Sequence, residues 1–315
     1  MDWAPYKLLL IDATAHALLM VDGAKSEVLA ELAYPDGYVP TALALAPDAN
    51  RAYLATAGNN GSGWLLVADL HSLSFCPSPM EIPHPMQFTL TPDGAAAYLA
   101  DPGGMLYAVD TAAMTLTSLG QPENASCVGI AADSQKVYTA WEHQNSGSIA
   151  IFNHRGQLIQ EHAIAGIPTN IALNGAQILV PFTANSFTGE GLAIFDQAKP
   201  DDSIPSVITI QCPLHTNGLK AYPCSVTVAP DRHSAYVINE DSGSITKLDL
   251  KLAEVTGNIT LGRSISNLYI LPDPRFAVAT SNMFADLALI DLVNERLLSV
   301  TTSPNEILSC LAVLG

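Results

Sequence analysis

The chain has 315 residues, of which 49% are hydrophobic and 14% charged, so it can bury a large core and is not a disordered segment. Thirty acidic residues against 13 Lys and Arg give a net charge of −17, which excludes a clustered basic surface for nucleic acid or anionic membranes. No apolar run reaches the ~20 residues a membrane-spanning helix needs, so no membrane insertion is expected.

In chain order, "KLLLIDATAHALLMVD" at 7–22 reads as strands entering a fold. No basic region precedes its apolar stretch, so it does not read as a signal peptide. The expected compartment is therefore the cytoplasm, or an exported one if a leader has been trimmed. "LALAPDANRAYLATAG" at 43–58 returns as "FTLTPDGAAAYLADPG" at 88–103 and as "VTVAPDRHSAYVINED" at 226–241. Each is an alternating strand, a tight turn and a second strand.

The turn aspartates Asp48, Asp93, Asp133, Asp231 and Asp273 form one ladder, with steps of 45, 40, 98 and 42. The long step hides one more copy, "TNIALNGAQILV" at 169–180, whose turn is Asn174-Gly175. A second ladder lies farther along each copy: Asp22, Asp69, Asp110, Asn153, Asp196, Asp249 and Asp291. It has seven rungs and the first ladder six. "ILSCLAVLG" at 307–315 supplies the strand before the missing turn, and residues 7–22 supply the strands after it. The C-terminal strand should therefore pair in the first blade and close a ring. The expected fold is all-β: one single-domain seven-bladed β-propeller over 1–315, each blade carrying four strands, a to d.

The segments "PHPMQFTLTPDGAAAYLADPGGMLYAVD" at 83–110 and "YPCSVTVAPDRHSAYVINEDSGSITKLD" at 222–249 resemble the YVTN-type β-propeller repeat. The resemblance is good in blades 2, 3 and 6, loose in 4 and 7 and poor in 5. It implies the propeller fold, and kinship with surface-layer binding proteins and, more remotely, with propeller lactonases and redox-enzyme subunits.

Two columns run through the seven inner strands. The first reads Ala42, Gln87, Cys127, Asn170, Ser225, Asn267 and Cys310, the second Leu43, Phe88, Val128, Ile171, Val226, Leu268 and Leu311. Period two sends them to opposite sides, so the apolar column should be blade-to-blade core and the small, polar one should look toward a channel mouth. Two readings stay open: small side chains relieve crowding near the axis, or Gln87, Asn170, Ser225 and Asn267 floor a site for a small neutral ligand. His84, just before an inner strand, and His215 are further ligand candidates.

Carboxylates sit in the b–c loops: Glu142 with His143, Glu190, Glu240 with Asp241, and Asp286. The lactonase resemblance makes Glu142, His143, Glu240 and Asp286 the alternative catalytic set, with Ca²⁺ as its metal; otherwise no cofactor is expected. A solvated acidic rim is the plainer reading. Between blades 5 and 6 the first-ladder spacing widens to 57, with Cys212 and Cys224 bounding a loop that is either disulfide-clamped or reduced. The leading expectation is a monomeric, non-enzymatic binding or scaffold protein, engaging a protein or a small neutral molecule at the channel-mouth face. The alternatives are a lactonase-like hydrolase and a subunit of a redox complex.

Overall fold

The computed structural model describes residues 6–12, 15–23, 25, 27–34, 37–58, 61–120, 125–184, 189–198, 205–210, 220–281, 286–302 and 307–314. Blade 1 begins with β1 (Lys7–Asp12), β2 (Ala17–Asp22) and β3 (Glu27–Ala33). Blade 2 holds β4 (Val39–Leu45), β5 (Arg51–Ala57), β6 (Ser62–Asp69) and a broken outer strand, β7 (Ser74–Phe75) and β8 (Met80–Pro83). Blade 3 is β9 (Gln87–Leu90), β10 (Ala96–Ala100), β11 (Leu106–Asp110) and β12 (Thr115–Gly120). Blade 4 is β13 (Ser126–Ala132), β14 (Lys136–Glu142), β15 (Gly147–Asn153) and β16 (Leu158–Ile164). Blade 5 has a broken inner strand, β17 (Ile167–Pro168) and β18 (Ala172–Asn174), then β19 (Gln177–Thr183), β20 (Gly191–Asp196) and β21 (Ser206–Thr209). Blade 6 is β22 (Pro223–Val228), β23 (Ser234–Asn239), β24 (Ser244–Asp249) and β25 (Glu254–Thr260). Blade 7 is β26 (Asn267–Ile270), β27 (Phe276–Thr280), β28 (Asp286–Asp291) and β29 (Arg296–Thr302), and the last strand is β30 (Ile307–Leu314).

These strands make seven antiparallel sheets, and β30 pairs with β1 in the order β3-β2-β1-β30. Lys7 faces Leu314 and Leu9 faces Ala312 across that seam. The chain is an all-β seven-bladed propeller closed by its C-terminal strand. Two compact units can be distinguished, residues 1–138, 151–160 and 304–315, and residues 139–150 and 161–303.

Both aspartate ladders are turn chemistry. Asp48 accepts the Asn50 amide at 3.0 Å, Asp93 the Ala95 amide at 3.0 Å and Asp231 the His233 and Ser234 amides at 2.8 Å. The residue after each of these is left-handed where φ is positive: Ala49 (56°), Gly94 (71°), Arg232 (59°) and, after Asn174, Gly175 (60°). In the second ladder Asp69, Asp110, Asp249 and Asp291 each accept two amides, two and three residues on. The fourth residue on is left-handed in all four: Leu73, Met114, Ala253 and Glu295. A side-chain oxygen that satisfies turn amides is why Asp and Asn recur at both places.

Within each unit the core is a set of slabs between neighbouring blades. Leu9, Ile11 and Leu18 meet Leu54, Leu66 and Ala68 between blades 1 and 2; Tyr53, Leu65 and Val67 meet Leu99 and Val109 between blades 2 and 3. Leu192, Ile194 and Ile208 meet Val226 and Val237 between blades 5 and 6, and Ile238, Ile245 and Ile259 meet Leu268 and Ile290 between blades 6 and 7. Outer strands are wetter, with Val28, Leu158, Val207 and Val255 exposed.

Candidate functional site

The inner-strand columns divide differently from expectation. Leu43, Phe88, Val226 and Leu268 of the apolar column pack into the slab shared with the preceding blade. Ala42 of the small, polar column packs into the slab shared with the following blade, and the Ser225 hydroxyl donates to the Ser266 carbonyl at 3.0 Å, where blade 7 begins. A blade stands edge-on, so the two faces of its inner strand look at its two neighbours, and period two separates those neighbours from each other. Thr227 repeats the pattern by donating to the Leu268 carbonyl at 2.9 Å. Thr169 does the same one blade earlier, donating to the Pro223 carbonyl at 2.7 Å.

The other members of the polar column are placed unevenly. Gln87 opens β9 opposite Ala100 and Asn267 opens β26 opposite Thr280, both half-buried. Asn170 lies in the break between β17 and β18, and its Oδ1 accepts the Ile171 amide at 2.8 Å. His84 is half-buried between β8 and β9, its amide held by the Gly61 carbonyl at 3.3 Å. His215 and Cys212 lie outside the described residues; Cys224 carries a free thiol.

The b–c loop carboxylates are best defined around the lead-in to blade 6. Glu190, 9% exposed, accepts the Ala221 amide at 2.7 Å and the Tyr222 amide at 3.3 Å. Tyr222 is thereby held in a left-handed conformation (φ 55°) that a bulky side chain rarely adopts. Its carbonyl accepts the Glu240 amide at 3.0 Å, and Glu240 Oε1 accepts the Ser266 hydroxyl at 3.3 Å. Burial raises the Tyr222 hydroxyl pKa, and the negative charges of Glu240, Asp241 and Glu142 raise it further. Glu142, Glu240 and Asp241 therefore share the field around one half-exposed phenol. Cys224, the second residue of β22, is partly buried against the slab between blades 6 and 7; burial, then Glu240, pushes its thiol up to about 12, so it stays protonated at neutral pH.

His143 stands apart from this group in its bonding. Its Nε2 lies 3.2 Å from the Ser148 hydroxyl, which donates to Glu161 Oε1 at 2.9 Å. Ser148 has one proton and gives it to Glu161, so His143 must donate through Nε2. That order places serine between histidine and carboxylate, whereas a nucleophilic triad needs histidine in the middle. Asp286, expected in a loop, is the first residue of β28 and pairs with Thr302, because β29 is long enough to extend the ladder to it. Among the described residues, no three His, Cys, Asp or Glu side chains are grouped so as to hold a metal ion.

Tyr222 and the buried role of Glu190 were not legible as a pair. The one local signal is the Tyr-Pro-Cys lead-in to an inner strand, and the link to Glu190 spans 32 residues.

Comparison with known proteins supports the fold alone. No family model matches the chain, and no curated protein matches it. Among solved structures, a functionally unknown protein from Desulfotomaculum acetoxidans matches with a TM-score of 0.72 at 13% identity, over 99% of both chains. Hydrazine synthase of Kuenenia stuttgartiensis matches with a TM-score of 0.67 at 16% identity, over 92% of this chain and 90% of that one. Apo AztD of Citrobacter koseri matches with a TM-score of 0.63 at 11% identity, over 98% of both.

Proposed function

We propose that this chain is a non-catalytic binding propeller of the YVTN type, monomeric by itself, which engages a protein or a small molecule at the end of the strands that bears the b–c loops. The observation that carries the reading is how the reactive groups of blades 4 to 6 are used. Glu190 holds two backbone amides, the Ser148 proton is committed to Glu161, and the Cys224 thiol is partly buried and protonated. What this face offers a ligand is Tyr222 and the carboxylates around it, an aromatic and polar recognition surface.

The test has two arms. The first compares wild type with Glu142→Lys/Glu240→Lys/Asp241→Lys in affinity capture from the native source, with Lys251→Glu on the opposite turns as control. One partner retained by wild type and the control and lost by the triple variant is the expected result. The second assays a lactone panel with and without Ca²⁺, where no turnover is expected. Ca²⁺-dependent turnover abolished by Glu142→Gln would overturn the proposal in favour of the lactonase-like alternative, and recovery of a cofactor-bearing enzyme as the partner would favour the redox-subunit one.

A further inference from the structure

In the ladder of a–b turn residues, Asp48, Asp93, Asp133, Asp231 and Asp273 are joined by one asparagine, Asn174 of blade 5. Asn174 ends β18 and faces Gln177 across a two-residue loop, Gly175 and Ala176. In blade 4 the Asp133 amide donates to the Lys136 carbonyl over a loop of the same length, and the Asp133 carboxylate accepts the Gln135 and Lys136 amides. Asn174 gives protons instead. Its Nδ2 donates to Gln177 Oε1 at 2.9 Å and to the Arg232 carbonyl of blade 6 at 2.9 Å. A carboxylate is an acceptor only, so aspartate could not make that bond to blade 6.

A separate demand fixes the next residue. Gly175 is left-handed (φ 60°), a conformation that glycine adopts without steric conflict and that suits a two-residue hairpin loop. The contact with blade 6 thus asks for asparagine, and the turn asks for glycine. Together they place a side-chain carboxamide next to a backbone nitrogen whose own residue has no side chain to shield it. Gly175 and Ala176 are exposed, and nothing stands within 4 Å of the point a Gly175 Cβ would occupy, so water and base reach the pair freely.

We infer that Asn174–Gly175 is a self-modifying site, at which the chain converts its own asparagine to aspartate or isoaspartate and so erases a contact between blades 5 and 6. The Gly175 nitrogen, its proton lost to solvent base, attacks Cγ of Asn174 and closes a five-membered succinimide. Nδ2 leaves as ammonia, taking its extra proton from water. Water then adds to one of the two imide carbonyls, so that one water enters for each ammonia released and nothing is oxidised or reduced. Ring closure needs the carboxamide to swing onto the Gly175 nitrogen, and its bonds to Gln177 and Arg232 oppose that swing. The reaction therefore runs from the locally opened turn, and the contact acts as its gate.

The product cannot remake the contact. An aspartyl carboxylate would face the Arg232 carbonyl with two acceptors and no donor between them, and an isoaspartyl link would add a carbon to the backbone of the two-residue loop. Conversion is one-way, and it leaves the junction of blades 5 and 6 with one bond fewer and one negative charge more. This site is at the opposite end of the strands from the b–c loops and is independent of the function proposed above.

The test follows the folded full chain and a synthetic peptide of residues 169–180 side by side at mildly alkaline pH, with proteolysis and mass spectrometry of the segment that holds Asn174. The peptide should convert first. The chain should gain the mass of amide-to-acid exchange at Asn174, with isoaspartate, at a rate lower by about tenfold or more, because only the opened turn reacts. Gln177→Ala removes one of the two holds on Nδ2, so it should raise the rate in the chain but not in the peptide. Asn174→Asp, the product made directly, should melt below wild type. No gain at Asn174 over about ten times the span in which the peptide converts completely overturns the inference. So does conversion of the chain at the peptide's rate, a chain rate indifferent to Gln177→Ala, or an Asn174→Asp protein that melts like wild type.

Discussion

Asp133 accepts the amides of Gln135 and Lys136 at one carboxylate oxygen and the Tyr138 hydroxyl, at 2.6 Å, at the other. In this copy the aspartate both shapes the turn and ties it to the tyrosine five residues on. Burial pushes the Asp133 pKa up, but the bonds from Tyr138 and the two amides, with the Lys136 charge, outweigh it and leave the carboxyl below its ordinary value. A depressed carboxylate stabilises the fold above its unfolded pKa of about 4 and loses that contribution as pH falls through the folded value. Asp69, Asp93, Asp231, Asp273 and Asp291 are lowered as well, so stability should decline together below about pH 4. Tyr138→Phe should cost roughly 1.5–3 kcal/mol at pH 7, the range for a hydrogen bond to a charged partner. In urea melts that difference should shrink as pH falls through the folded pKa of Asp133; a difference that stays the same from pH 7 down to the acid limit of folding would refute the assignment. Glu190→Gln, which removes charge from a buried acceptor of two amides, should likewise lower the urea midpoint, while Glu142→Gln on the exposed end of β14 should not.

At the scale of the strand, the a–d order, both ladders and the seam were readable because each has a local residue signature. The orientation of the polar column was not. Alternation along a strand tells which residues share a face, but not that both faces of an inner strand abut other blades, as Ala42 and Leu43 do. The broken inner strand of blade 5 was also hidden, since it depends on Asn170 capping the next amide and on Thr169 reaching Pro223, 54 residues away. Close approach between strands gives a sharper test. A Cβ on Gly147, the first residue of β15, would collide with Pro168 Cδ and stand 3.0 Å from the Gly166 carbonyl. Gly147→Ala should destabilise by roughly 1–3 kcal/mol, the usual penalty of overpacking. Gly189→Ala, with nothing within 4 Å of the added carbon, is the matched control and should melt within about a degree or two of wild type. Equal melting of the two variants would show that the β15 lead-in yields without cost.

For the whole molecule, closure joins strands nearly the full chain length apart, since Lys7 lies opposite Leu314. Bringing such ends together costs about 5 kcal/mol of loop entropy if the chain between them is flexible. The six sheets folded between them lower that cost, so β30 should pair late, after the blades it joins. What it gains is definite: it completes a four-stranded sheet, and Ala312 and Leu314 pack on the slab holding Leu9 and Ile11, which are 1% and 0% exposed. Without it β1 becomes an open edge flanked by apolar residues, a template for pairing with other chains. Deleting residues 307–315 should therefore lower the melting temperature by about 10 °C or more and promote association. A synthetic peptide of residues 303–315 added in trans should restore both, because strand pairing rather than chain connectivity holds the seam. A deletion variant that melts like the intact chain would show that the closing strand contributes nothing to stability. Failure of the peptide to rescue a folded deletion variant would show that the covalent link to blade 7 is what makes closure possible.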